Sequence, residues 1–174
     1  MKSEKNIVLV GMMGSGKSLI GKLISEKLKK KFIDIDKKVE DIEKKKISEI
    51  FKVKGEEYFR ETEEKISLDY LSQQNQVISL GGGGFINLNI RKKCKKNSLS
   101  FWLKWSNNIL IKRIYGNKKR PVILDLNKND IKKLILERSK IYNLADYVID
   151  CDNLSKNEII SEITLKNDLK NNKN

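Results

Sequence analysis

Short apolar runs recur along the chain and predict buried strands. A run that is apolar throughout and bounded by turn residues is typical of a strand covered on both faces, as in a parallel sheet. Five largely apolar runs approach this description, at residues 5–10, 32–36, 77–80, 99–103 and 147–149. The second run ends in two acids, Asp34 and Asp36, which alternation along a strand would send to the same side of the sheet.

Between these runs, apolar residues recur every three or four positions, which predicts helices. This spacing occurs at residues 19–28, in two short stretches within 39–51, and at 57–71, 107–115 and 131–142. Ser155 and Glu158 have the spacing of a capping box that opens a last helix. Because strands alternate with helices, we predict a three-layer α/β/α fold with a five-stranded parallel sheet. We expect one domain over residues 1–166 and a disordered polar tail at 167–174.

Residues 11–18 read GMMGSGKS, a complete phosphate-binding pattern of the type G-x-x-x-x-G-K-S. The pattern follows the first predicted strand and opens a helix, the context in which backbone N–H groups cradle phosphates. It predicts a nucleoside triphosphate site in which Lys17 reaches the β- and γ-phosphates and Ser18 ligates Mg²⁺. A chance glycine-rich turn is disfavoured by this context. The predicted nucleotide contacts here are Gly14, Ser15, Gly16, Lys17, Ser18 and Leu19.

Asp34 and Asp36 lie where open α/β sheets bind their ligands, at the carboxyl end of a strand. One carboxylate could act on Mg²⁺ through water, and the other could accept a proton from a substrate hydroxyl. The alternative is that both acids are solvated turn residues or a helix cap.

Four further clusters are ordinary when each is taken alone. Arg60 could clamp a carboxylate with two parallel hydrogen bonds, or simply pair with Glu63 or Glu64 on a helix surface. The sequence SLGGGG at residues 79–84 could bring a ligand close to the backbone, or form a flexible turn. Two more arginines follow, one in the irregular segment before the only proline and one in the next predicted helix: Arg120 and Arg138.

The composition narrows the chemistry. The chain has no histidine, which excludes Ser-His-Asp catalysis and histidine-ligated zinc, so that a general base must be a carboxylate, lysine or tyrosine. Cys94 and Cys151 are far apart, and we expect reduced thiols without a chemical role in a cytoplasmic protein. No apolar stretch approaches the roughly 20 residues that span a bilayer, so no membrane partner is expected.

The net charge of +14 comes from 37 Lys and Arg residues against 23 Asp and Glu residues. Aromatic residues are not interleaved with the basic runs, which favours lysines on solvated faces over nucleic-acid binding. The positive field would still attract ATP and an anionic substrate. A P-loop protein that binds nucleic acid without catalysis stays open as an alternative and would show salt-dependent binding.

Taken together and in this order, the clusters resemble the shikimate kinase family over about residues 5–165. The phosphate loop alone is shared with many kinases, whereas the combination with Asp-x-Asp, Gly-Glu-x-x-Phe-Arg and Gly-Gly-Gly is far more specific. The elements that match are residues 11–18, Asp34 and Asp36 with Glu40, Gly55 to Glu63, residues 79–83, Arg120 with Pro121, and Arg138 before Tyr142, Ala145 and Asp146.

The resemblance implies a nucleoside-monophosphate-kinase-like P-loop fold and an activity. The family transfers the γ-phosphoryl group of ATP, with Mg²⁺, to the 3-hydroxyl of shikimate, on the route to chorismate and the aromatic amino acids. The partners implied are ATP and shikimate, with no nucleic acid and no membrane, and the family is often monomeric. Gluconate kinases and nucleoside-monophosphate kinases of the same architecture stay open as rivals, since gluconate is also a polyhydroxylated acid.

The resemblance also implies roles for single residues. Asp36 would bind the ring hydroxyls and act as the base, with Lys17 and Arg120 completing the catalytic set. Arg60 and Arg138 would hold the shikimate carboxylate, with backbone contacts from Gly81, Gly82 and Gly83. Asp34 would support Mg²⁺ with Ser18, Arg113 would lie against the adenine, and Arg120, on a lid at about 115–127, would reach both substrates. Glu63 would orient Arg60. The departures from the family pattern are Leu19, Gly84, Lys140 and Ile141.

Overall fold

A five-stranded parallel sheet forms the centre of the computed structural model, which describes residues 5–115 and 121–171. The order across the sheet is β2-β3-β1-β4-β5, and each neighbouring pair is parallel. The five predicted strands and their parallel arrangement are therefore confirmed. Their bounds are β1 (Asn6–Val10), β2 (Lys31–Asp34), β3 (Gln76–Ser79), β4 (Ser98–Lys104) and β5 (Tyr147–Asp150).

Helices cover both faces of the sheet and complete the predicted three layers. On one face, α1 and α7 pack over a core that includes Ile7 and Leu9 of β1, and on the other, α3 to α6 pack over Val8 and Val10. Alternate residues of β1 thus enter different cores, which explains why the strand is apolar throughout. The helices are α1 (Lys17–Leu28), α2 (Ile35–Glu43), α3 (Ile47–Ser72), α4 (Leu88–Asn97), α5 (Asn107–Ile114), α6 (Lys128–Tyr142) and α7 (Lys156–Asn171).

The end of β2 differs from the prediction that residues 32–36 form one strand. The Asp34 carboxylate accepts a hydrogen bond from the backbone N–H of Lys37 at 3.2 Å and caps α2, so that the strand stops there. Asp36 lies in the first turn of α2, and the argument from strand alternation is wrong. Both acids still lie at the carboxyl edge of the sheet because the helix begins immediately after the strand.

Helix α3 is broken at Gly55, which has φ 84° and ψ 171° inside the bounds Ile47–Ser72. This conformation is essentially restricted to glycine. The part after the break matches the helix predicted at 57–71, and it carries Arg60 one turn beyond the glycine.

Two other elements depart from the prediction. Helix α4 was not predicted, because only Ile90 and Cys94 of its ten residues are buried and the rest are largely polar. Helix α7 continues to Asn171 with Asn167 buried, so the prediction of a disordered tail is wrong for residues 167–171. The capping box at its start is confirmed, since Ser155 and Glu158 exchange hydrogen bonds of 2.8 and 3.3 Å.

Cys94 and Cys151 are both buried, and both are free thiols. None of the helices in the described part of the chain is long and apolar enough to cross a membrane.

Candidate active site

The phosphate loop joins β1 to α1 and has the backbone that its glycines predict. Gly11, Gly14 and Gly16 have φ of 141°, 77° and 88°, in the region that side chains rarely adopt. The Lys17 ammonium donates hydrogen bonds to the carbonyls of Gly11 and Met12 at 2.9 and 3.0 Å. The Ser15 hydroxyl is buried and has no hydrogen-bond partner among the described residues. A buried, unsatisfied hydroxyl in a loop with this sequence pattern suits a phosphate ligand.

Ser18 and Asp34 form the candidate metal site at the mouth of this loop. The Ser18 hydroxyl donates a hydrogen bond to Asp34 Oδ2 at 2.5 Å, so the two oxygens are adjacent. Mg²⁺ prefers oxygen ligands and usually takes only one or two from the protein, the others being water and phosphate oxygens. No group of three or more acidic, cysteine or histidine side chains that could hold a metal occurs in residues 5–115 and 121–171. The pair fits a nucleotide-bound Mg²⁺ rather than a permanent metal centre.

A cavity of about 540 Å³ lies beside the loop and extends over α2, α3 and α6. Ser18 and Asp34 lie at its donor end, and Asp36, Arg60 and Arg138 line the remainder. Of the residues predicted for the acceptor site, Gly82 and Gly83 also line this space, whereas Gly81 is not among its lining residues. The other lining residues are Met13, Lys37, Glu40, Lys46, Ile47, Ser48, Phe51, Phe59, Glu63, Gly82, Gly83, Pro121 and Val122.

Arg60 is held in the cavity wall by two carboxylates of its own helix. Its Nη1 donates to Glu63 Oε2 at 2.8 Å, and its Nε and Nη2 donate to Glu56 Oε1 at 3.1 and 3.0 Å. Glu64, the alternative partner, instead accepts hydrogen bonds from Asn87 and Asn89. The guanidinium is therefore fixed before any acceptor binds, and the predicted pairing with Glu63 is confirmed.

Glu63 is the most buried charged group of the site, with only 2% of its surface exposed. Burial raises the pKa of the Glu63 carboxyl above its ordinary value, and the charge of Arg60 opposes this rise. Its Oε1 lacks a hydrogen-bond partner within the described part of the chain. Glu63 lines the cavity with only this small exposed fraction and accepts a hydrogen bond from Arg60, which suits a positioning role.

The glycine run after β3 lies directly against these charged groups. A Cβ added at Gly81 would collide with the carboxylates of Glu63 and Asp36, and one added at Gly83 would collide with the Arg60 guanidinium. A Cβ at Gly84 would meet Glu63 Oε1 only at 3.5 Å, an ordinary contact. Glycine is therefore needed at positions 81 and 83 because Asp36, Glu63 and Arg60 occupy the space that a side chain there would fill.

Arg138 and Tyr142 meet at the backbone carbonyl of Gly82. Arg138 Nη1 approaches this oxygen at 3.4 Å, and the Tyr142 hydroxyl donates a short hydrogen bond to it. Burial raises the pKa of Tyr142 to about 12, so its hydroxyl stays protonated as a donor at neutral pH. Lys140, the departure from the family pattern, is exposed on α6 and leaves Arg138 beside the cavity.

The remaining predicted residues lie at different distances from the cavity. Arg113 donates to the Gly14 carbonyl at 3.2 Å and thus touches the back of the phosphate loop. Leu19 follows Ser18 on α1 and is 52% exposed. Arg120 lies outside the described residues, as does Gly116, so only Pro121 and Val122 represent the predicted lid in the cavity wall.

Sequence reasoning missed part of the cavity wall. Ser48 and Phe51 come from the first part of α3 and Lys46 from its N-cap, and all three precede the break at Gly55. Phe51 packs on Phe59 with ring centroids 4.9 Å apart, and its spacing in the sequence predicts only a helix. Nothing in the local pattern distinguished Lys46 from the other lysines of the chain.

Comparison with known proteins points to one family. The family model for shikimate kinase matches residues 13–167. A shikimate kinase from Sulfurihydrogenibium sp. (strain YO3AOP1) is 44% identical over 162 residues, 93% of this chain and 97% of that protein.

Two solved structures share the fold over nearly their whole length. A shikimate kinase from Acinetobacter baumannii in complex with shikimate has a TM-score of 0.88 at 28% identity, covering 97% of this chain and 94% of that one. A shikimate kinase from Aquifex aeolicus has a TM-score of 0.85 at 35% identity, covering 96% and 97% respectively. The nucleoside-monophosphate-kinase-like fold is thereby confirmed, and the chain belongs to the shikimate kinase family.

Proposed function

We propose that this site transfers the γ-phosphoryl group of ATP to the 3-hydroxyl of shikimate, giving 3-phosphoshikimate and ADP. The observation that carries the proposal is the convergence of Asp36, Arg60 and Arg138 on one cavity whose donor end is formed by Ser18. A hydroxyl acceptor with a carboxylate needs such a set: two cations for the carboxylate and a base for the hydroxyl.

The donor half binds and orients the triphosphate. The N–H groups of Gly14, Ser15 and Gly16 and the start of α1 would hold the phosphates, and the Lys17 ammonium would exchange its carbonyl partners for β- and γ-phosphate oxygens. Ser18 and Asp34, the latter through water, would hold Mg²⁺, which neutralises charge on the phosphates when it is bound. Arg120 is proposed to add a cation from the lid.

The acceptor half binds shikimate and directs one hydroxyl to the phosphate. Arg60 and Arg138 would clamp the carboxylate, with backbone contacts from Gly81, Gly82 and Gly83. Asp36 would accept the proton of the 3-hydroxyl as the oxygen attacks phosphorus and the bond to the ADP oxygen breaks. Phosphoryl transfer depends mainly on such positioning and charge stabilisation, and closing the lid would exclude water as a competing acceptor.

The proposal also covers the oligomeric state, the compartment and the partners of the protein. The protein would act as a monomer in the cytoplasm, where its two free thiols would stay reduced. ATP and shikimate would be its only partners, and the lysines would serve as a solvated, positively charged surface.

The rivals are separated by one assay of ADP release. Shikimate, gluconate and nucleoside monophosphates are supplied in parallel with ATP. Each acceptor is assayed once with Mg²⁺ and once with excess EDTA in place of Mg²⁺. We expect ADP release only in the mixture that contains shikimate and Mg²⁺ together with ATP. Turnover with gluconate or a nucleotide instead, or none together with salt-dependent oligonucleotide binding, would contradict the proposal.

A methyl group at Gly81 is expected to impair shikimate binding. In Gly81→Ala the added Cβ would displace the carboxylates of Glu63 and Asp36 from their present positions. We expect the shikimate KM to rise at least about tenfold, and the melting temperature to fall, because overpacking costs about 1–3 kcal/mol. Steady-state kinetics and thermal unfolding measure both effects.

Gly84→Ala is the matched control, since it adds the same methyl group three residues later, where the contacts are ordinary. It should keep the kinetics of the unmodified chain. Equal losses in both variants would mean that the run needs flexible backbone rather than space for the two carboxylates.

A further inference from the structure

Trp105 lies behind the phosphate loop and contacts its backbone directly. It occupies the connection between β4, which ends at Lys104, and α5, which is capped by Ser106. Its indole Nε1 donates a hydrogen bond to the carbonyl of Ser15 at 2.9 Å. The indole is only partly exposed and packs between the two cores that flank the sheet. The loop therefore has an aromatic support that comes from outside its own sequence.

Arg113, two turns along α5, uses the same support. Its guanidinium carbon lies 3.9 Å from the centroid of the Trp105 ring, a close cation–π contact, and its Nη1 donates to the Gly14 carbonyl at 3.2 Å. Gly14 and Ser15 are consecutive, so Trp105 and Arg113 hold two successive carbonyls of the loop. Arg113 is itself exposed, which leaves it accessible to a ligand while the indole supports it.

The orientation of these carbonyls decides how the loop binds phosphate. A loop that turns its N–H groups toward a phosphate must turn its carbonyls outward, where each needs a donor. Trp105 and Arg113 are the donors for Ser15 and Gly14, and they come from an element outside the loop. Loss of these bonds would let the two peptide planes rotate and disturb the backbone conformation that receives the phosphates.

We propose that Trp105 is a positioning residue for the nucleotide, acting through the Ser15 carbonyl and through the guanidinium of Arg113. It fixes the phosphate loop in its binding conformation and holds Arg113 as a platform for a purine ring. The inference rests on the proposed function only in taking ATP as the ligand of the loop. It concerns binding of the nucleotide rather than transfer to the acceptor.

Two substitutions separate the two contacts. Trp105→Phe keeps an aromatic ring under Arg113 and removes the N–H, whereas Trp105→Leu removes both. The dissociation constant for ADP with Mg²⁺, measured by calorimetry, should rise about fivefold for the lost hydrogen bond and by about a further threefold for the lost ring. The KM for ATP should follow, while the KM for shikimate stays unchanged.

A variant that lacks Arg113 tests whether Trp105 acts through the Arg113 guanidinium. In Arg113→Met, the change from Phe to Leu at position 105 should have no further effect on ADP binding, because no guanidinium is left to support. A persisting threefold difference there would overturn the route through Arg113.

Tyr147→Leu is the control for a merely structural role. Tyr147 is a partly buried aromatic residue that stacks on Phe101, away from the loop. The Lys166 ammonium lies over its ring, 5.6 Å from the ring centroid. The Tyr147→Leu substitution should lower the melting temperature without changing the affinity for ADP. Normal ADP affinity in Trp105→Leu, or an equal loss for both substrates, would overturn the proposal. Weaker ADP binding in Trp105→Leu would sustain it even if the unmodified chain failed to phosphorylate shikimate, so the two failures are distinguishable.

Discussion

Asp36→Asn is expected to lower kcat by roughly 10²- to 10⁴-fold, the usual contribution of a positioned base, while ATP binding is retained. Asparagine has nearly the same size, so the packing against Gly81 and Glu63 would persist. It cannot accept the proton of the shikimate hydroxyl. Because the chain has no histidine, none is available to replace the carboxylate. Single-turnover rates and calorimetry with ADP measure the two effects separately.

Asp41→Asn is the matched control for this result. Asp41 lies on the same helix, is exposed, and pairs with Lys37 at 3.2 Å instead of facing the cavity. Its loss should leave kcat within about twofold, since exposed ion pairs contribute little. Normal turnover in Asp36→Asn would exclude Asp36 as the base and leave it a hydrogen-bonding role at most.

Arg60→Lys is expected to raise the KM for shikimate at least about tenfold, with little change in the KM for ATP. Arginine uses three nitrogens at once to hold Glu56 and Glu63, and a lysine ammonium cannot reproduce that planar fork. Glu63 would stay buried with a poorer partner, so the melting temperature should also fall. Kinetics with each substrate varied in turn, together with thermal unfolding, test both parts.

Arg91→Lys provides the comparison. Arg91 is also partly buried, but its Nη1 donates to the backbone carbonyls of Phe85 and Ile86, both at 2.9 Å, and it does not line the cavity. This variant should keep its KM for shikimate. An unchanged KM in Arg60→Lys would refute the carboxylate clamp and assign Arg60 to stability alone.

The parts of the fold that sequence reasoning predicted are those that local patterns decide. The five strands, the phosphate loop and the capping box at Ser155 each depend on a few neighbouring residues. The prediction that Asp36 lies on a strand was wrong because Asp34 could either continue the strand or cap a helix. The hydrogen bond between the Asp34 carboxylate and the Lys37 N–H shows that it caps the helix. Helix α4 was missed because it has only two buried residues.

The site was predictable as a set of residues and not as a shape. Asp36, Arg60 and Arg138 were identified in advance, and the structure brings them to one cavity. The wall from Lys46 to Phe51 was not, because it depends on the turn of the chain at Gly55 and on contacts between distant segments. Trp105 was overlooked for the same reason, since its contact with Ser15 joins residues 90 positions apart.

The double anchoring of Arg60 by Glu56 and Glu63 also has a thermodynamic consequence. An arginine that is already immobilised loses little rotamer entropy when an anion binds, so more of the interaction energy is available as affinity. Small cyclic carboxylates that lack the reactive hydroxyl should therefore compete with shikimate better than their few contacts would suggest. Such fragments offer a starting point for inhibitors that occupy the acceptor half without a nucleotide.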